Sequence, residues 1–81
     1  MTHEIKIWPK YFVEVLLGFK KVEVRKNDRN YQEGDLLVLQ EYCPVKWEYT
    51  GNTLTKQIDY IVKDMTGLEP DYVILQIKKP L

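Results

Sequence analysis

With one cysteine and one histidine among 81 residues, the sequence has little of the chemistry that staples or metallates a small fold. Cys43 has no partner for an internal disulfide. A small fold without disulfides fits a reducing compartment, so the expected location is the cytoplasm. Cys43 and His3 fall short of the four ligands of a structural zinc site, and no metal is expected. No apolar run approaches the roughly 20 residues of a membrane span, and no membrane partner is expected. The N-terminus lacks the basic-then-apolar layout of a signal peptide. Glycine-rich phosphate loops and the hydrolase nucleophile elbow are also missing, so no cofactor is expected. No linker, repeat or low-complexity segment interrupts the chain, which reads as a single domain over residues 1–81.

Net charge is another absence. The chain carries 12 basic and 12 acidic side chains, so its total charge gives no argument for nucleic acid. The distribution is more informative. From Lys20 to Arg29 there are five basic and two acidic residues, whereas from Glu41 onward there are five basic and six acidic. A local basic excess is what a binding patch looks like; a solvated turn with random charge looks the same.

What is present is a succession of short apolar patterns. Glu4 to Trp8 alternates polar and apolar residues and reads as a strand. Pro9 suits the first position of a helix, and Tyr11, Phe12, Val15 and Leu16 give the segment to Leu17 an apolar face. Gly18 ends that helix in the way glycine ends many, by taking the left-handed conformation. Val22-Glu23-Val24-Arg25 alternates again, with the valines on one face and the charges on the other. Leu36 to Tyr42 begins as an apolar run of the kind found in strands buried on both faces. Lys46 to Tyr49 is a weaker strand, followed by a turn at Thr50-Gly51-Asn52. Leu54 to Val62 and Tyr72 to Ile77 complete the set. Five or six strands with one helix after the first make a mainly β (α+β) chain, and short strands between turns predict a small barrel.

Gly18-Phe19-Lys20-Lys21-Val22-Glu23-Val24-Arg25 has the form Gly-x-Lys-x-x-Glu-x-Arg. This segment resembles the signature of the ASCH domains, a branch of the PUA-like superfamily. The element order around it agrees: a strand ending at Trp8, a helix from Pro9, the motif, then Tyr31-x-x-Gly34-Asp35 before an apolar strand. Glu23 to Arg29 further resembles a small bacterial and phage subgroup of DUF3850 type. The resemblance implies a pseudo-β-barrel with a cleft beside the first helix, lined by the motif, with RNA or a nucleotide as partner. Lys20, Lys21, Arg25, Lys26 and Arg29 would then contact phosphates, Glu23 would set polarity and orientation, and Tyr31 would stack on a base. Lys78 and Lys79 lie far along the chain and are not expected beside the motif.

Some relatives resembling this fold are amidohydrolases acting on an acylated cytidine. They have a lysine where Lys20 stands, but threonine where this chain has Glu23, and a further acid near the last strand. Here Lys20 and Glu23 are the catalytic candidates, and Glu69 and Asp71 the nearest choices for the later acid. A third class is a protein-interaction module using a free strand edge.

Each residue also has a plainer reading. Lys20 complements the helix dipole, and Glu23 with Arg25 forms a structural ion pair. Trp8 and Trp47 belong to the core, as aromatics of small β domains mostly do. Cys43 is a packed, inert thiol and His3 an exposed terminal residue.

Overall fold

Alternation begins earlier than the sequence suggests: Thr2–Ile7 is strand β1, with His3, Ile5 and Ile7 turned into the core. The structure, a computed structural model, describes residues 1–81. Helix α1 spans Pro9–Leu16 and starts on proline, whose missing N–H would have had no intrahelical acceptor. Phe12 and Val15 are its buried residues. It stops where Gly18 takes φ +83°, and the Phe19 and Lys20 N–H groups donate back to the Glu14 carbonyl. Lys20 is thereby folded back over the helix end before β2 (Val22–Lys26) begins.

Strands β3 (Leu36–Cys43), β4 (Glu48–Val62) and β5 (Tyr72–Lys78) follow. The five form one sheet in the order β1-β3-β4-β5-β2, parallel only between β1 and β3. The fold is mainly β: a curled half-barrel with one short helix. Leu37, Leu39, Ile58, Val73 and Leu75 fill the inside of the curl, and Phe12 and Val15 of α1 join them. No helix is long and apolar enough to cross a membrane.

The curl brings the two ends of the sheet together without joining them. β1 and β2 are its free edges, with no backbone ladder between them. One side chain spans the gap: Arg25 of β2 donates from Nη2 to the Lys6 carbonyl of β1 at 2.5 Å. This seam is where the candidate site lies.

Several expectations are corrected. Lys46–Tyr49 and Leu54–Val62 are not separate strands, and Thr50-Gly51-Asn52 is not a hairpin turn; Glu48 to Val62 is the single strand β4, and Lys46 and Trp47 precede it in a turn. Pairing of Gln40 with Thr53, then of Tyr42 with Tyr49, leaves Thr50, Gly51 and Asn52 opposite Glu41 alone. This is a β-bulge, allowed by φ +94° at Gly51 and clipped by Glu41, whose Oε1 accepts from Thr50 Oγ1 and Asn52 Nδ2. The chain reverses instead at residues 44–47, so Trp47 sits at the hairpin tip, 80% exposed rather than in the core. In β3, Leu37 and Leu39 are fully buried, but Leu36 and Val38 are half-buried, so the strand is covered on one face only.

His3 is buried, not exposed, because it shares the inward parity of Ile5 and Ile7. Its Nε2 lies 2.8 Å from Asp35 Oδ2, and that carboxylate also accepts from the Gln32 N–H at 3.0 Å and the Met1 ammonium at 3.1 Å. Burial raises the Asp35 carboxyl, but these hydrogen bonds and the ammonium charge outweigh it and hold the group below its usual 3.8. Tyr31 packs edge-on to the His3 ring at 4.8 Å.

Candidate functional site

Strand β2 breaks the usual rule for a half-buried strand. Its valines, Val22 and Val24, face outward and are exposed, while Glu23 and Arg25 face inward. Glu23 is only 4% exposed. Burying a lone carboxylate is costly, so a charged inward face persists only where the charges are paired. Here they are. Lys20 Nζ lies 2.6 Å from Glu23 Oε1, and Arg25 Nε and Nη2 each lie 3.1 Å from Oε2. Lys20 Nζ also donates to the Val22 carbonyl. A carboxylate held by a different cation on each oxygen is fixed in position, and each oxygen retains a lone pair for one more donor.

These three residues form one wall of a cleft of about 490 Å³. The opposite wall is the end of β1, at Lys6, Ile7 and Trp8, with Tyr11 from the first turn of α1. Trp8 is 55% exposed, against its expected place in the core, because it is the N-cap residue of α1, just beyond the last inward position of β1. Its ring lies nearly parallel to that of Tyr11, 6.5 Å away, giving the cleft an aromatic side. Lys20, Arg25, one carboxylate and two aromatic rings therefore line a single open space, with Lys6 at its edge, its ammonium 4.5 Å from the centre of the Tyr42 ring.

A second hollow of about 300 Å³ adjoins the cleft and shares Lys6 and Arg25 with it. Lys26 and Arg29 line it, with Asp28 and Glu4 as the acids. Of the residues proposed from sequence, Lys20, Glu23 and Arg25 thus meet in the cleft, and Lys26 and Arg29 flank it. Lys6 and Tyr11 were missed, and Trp8, an aromatic able to stack on a base, was assigned to the core. The available signal was their place on either side of Pro9, where β1 ends and the helix begins.

Other proposed residues lie differently. Tyr31 is 4% exposed and sits within the core cluster; it is not in the cleft but is among the residues that line the second hollow. Its hydroxyl is pushed above the usual tyrosine value chiefly by burial, with Arg29 and Arg25 opposing. Lys21 faces a third hollow, which Lys20 also lines, and the fold brings Lys56, Lys78 and Lys79 there. The expectation that Lys78 and Lys79 lie away from the motif is therefore wrong. β5 pairs with β2, and the Ile77 N–H donates to the Lys21 carbonyl. Glu69 and Asp71 do not line the cleft; they lie toward Tyr72, which pairs with Lys26 at the opposite end of β2 from Lys20.

Fold and site together define a small curled β domain with a charged, aromatic-sided cleft at its seam. A family model described as "Domain of unknown function (DUF3850)" matches residues 2–77, and the chain belongs to that family. It is 42% identical over 73 residues to the "Uncharacterized 12.9 kDa protein in GpA 3'region" of Escherichia phage P2. That match covers 90% of this chain and 64% of the phage protein, so the chain spans a little under two thirds of that relative's length.

Proposed function

We propose that this domain is of the ASCH type within the PUA-like superfamily, and that its cleft binds RNA or a nucleotide. The observation that carries the reading is the inverted strand β2, which buries Glu23 between Lys20 and Arg25 and leaves both cations at an open cleft. A fold that spends stability on an inward charged face places it where a ligand uses it. In this reading a base lies against Trp8, and Glu23 accepts from its exocyclic amino group. Arg25 and Lys6 hold the phosphate, Arg25 through Nη1, the guanidinium nitrogen that neither Glu23 nor the Lys6 carbonyl engages. Lys20, with two of its three donors engaged, has one left for the sugar or phosphate.

Titration of the four ribonucleoside monophosphates followed by chemical shift tests this. Shifts confined to Lys6, the Trp8 indole, Lys20, Glu23 and Arg25 are expected. Trp8→Ala should weaken binding by about 1–3 kcal/mol, the usual worth of one stacked base. Shifts elsewhere, or binding indifferent to Trp8, would sink the proposal.

A second reading, hydrolysis of an amide on a modified nucleoside, is favoured by one observation: the 2.6 Å Lys20–Glu23 pair in a cleft of nucleoside size. It ranks lower because Lys20 is already donating to two oxygens and no serine or threonine lines the cleft. Turnover of an N-acylated cytidine, abolished by Lys20→Ala, would reverse the order.

A further inference from the structure

Basic side chains are unevenly spread over this electrically neutral domain. The cleft holds Lys6, Lys20 and Arg25; the hollow on one side shares Lys6 and Arg25 and adds Lys26 and Arg29. The third hollow shares Lys20 and adds Lys21, Lys56, Lys78 and Lys79, in a volume of about 280 Å³. Nine of the 12 basic residues therefore face three hollows linked by shared walls, against Glu4, Glu23 and Asp28 among the acids. Topology explains the third group: β4, β5 and β2 are neighbours in the sheet, so Lys56, Lys78 and Lys21 meet at one end of it. Asp59 pairs with Lys78 at 3.3 Å, while Lys21, Lys56 and Lys79 make no ion pair. Unpaired like charges gathered in a concavity repel one another, and their arrangement is relieved by a polyanion.

We infer that the ligand is a single strand of nucleic acid several nucleotides long, not a free nucleotide, and that its backbone leaves the cleft past Lys20 and runs over Lys21, Lys56 and Lys79. The inference rests on the proposed nucleotide-binding role of the cleft and extends it to a second contact surface. A single strand fits better than a duplex because the aromatic side of the cleft needs an unstacked base. A continuous groove of cations is how sequence-tolerant single-strand binders follow a backbone.

The test compares cytidine monophosphate with an oligocytidine of eight nucleotides, for the parent, Trp8→Ala, and the double variant Lys21→Gln/Lys79→Gln. Both lysines are exposed, so the double variant should fold as the parent does. The octamer should bind more tightly than the monophosphate. The double variant should bind the octamer more weakly, with its salt slope shallower by about 1.4, the loss of two single-strand phosphate contacts. Its affinity for the monophosphate should be unchanged.

Equal octamer affinity and slope in the parent and the double variant would overturn the inference while leaving the cleft reading standing. Octamer binding that depends on Lys21 and Lys79 but not on Trp8 would remove the cleft reading and, with it, the inferred path out of the cleft. Displacement of the octamer by polyglutamate at equal charge concentration would show a non-selective anion patch and overturn the inference. Absence of binding by either ligand would overturn both.

Discussion

Arg25 donates to the carbonyl of Lys6 across the one gap where the curled sheet has no ladder. The same guanidinium holds Glu23. One side chain therefore links the two free edges and compensates a buried carboxylate. Removing it should loosen the seam and leave Glu23 with Lys20 alone. Arg25→Ala is expected to lower unfolding free energy by about 2 kcal/mol, in the range for hydrogen bonds to charged groups. Arg25→Lys should recover part of that loss, because a lysine keeps the charge without the planar fork. Urea denaturation measures both; equal stability of parent and Arg25→Ala would show that the seam holds by packing alone.

Glu23→Gln separates charge from shape. The amide fills the same space and can still accept from Lys20 or Arg25, but the cleft loses its one negative charge. Phosphate-bearing ligands should then bind more tightly, by about 1 kcal/mol or roughly fivefold, the size of one screened charge at short range. A nucleoside without phosphate should lose affinity instead, since Glu23 is assigned to its amino group. Calorimetric titration of a cytidine and its monophosphate reads both. If the two ligands respond alike, Glu23 does not discriminate base from phosphate.

The motif and its parity were legible because they are local. A glycine stop, a lysine beyond it and two charges two residues apart fix Lys20, Glu23 and Arg25 whatever the rest of the chain does. What sequence did not give was which face of β2 points inward. Valine beside charge ordinarily means valine inside, and only the pairing of three charges across α1's end and β2 reverses it. Lys6 and Trp8 were obscured for a related reason: their role depends on β1 and β2 meeting as sheet edges, a contact nearly 20 residues apart in sequence. The lysine hollow depends on β4, β5 and β2 pairing, which no spacing reveals. Tyr31 looked available because it follows a basic turn, yet its ring closes the core beside His3.

Asp35 makes the fold sensitive to acid. Its carboxyl is held below 3.8 in the folded state by hydrogen bonds from His3 and Gln32 and by the Met1 ammonium, against the raising effect of burial. A depressed folded value stabilises the protein fully above the unfolded value, and that stability is lost as pH falls through the folded value. Unfolding free energy should therefore drop below about pH 4 more steeply in the parent than in Asp35→Asn. At neutral pH the variant should be weaker by about 1–3 kcal/mol, because the buried His3 loses its charged partner. Parallel pH profiles for the two proteins would remove Asp35 as the source.

The bulge in β4 tests whether architecture and site can be separated. Gly51 has φ +94°, and a Cβ added there would meet nothing within 4 Å. Any penalty for Gly51→Ala is therefore backbone strain and not collision, and should amount to about 1–2 kcal/mol. Glu41→Gln, which weakens the clip on Thr50 and Asn52 while keeping the backbone, should cost less. Glu41 pairs with Ile7, the residue before Trp8, so the bulge abuts the end of β1 that lines the cleft. The lining itself comes only from β1, Trp8, Tyr11, Lys20 and β2. Gly51→Ala should accordingly reduce thermal and urea stability while leaving nucleotide affinity within about twofold of the parent, as expected for a site without shared partners. A fall in affinity as large as that of Trp8→Ala would mean that the bulge sets the position of β1, and that the hairpin belongs to the binding site.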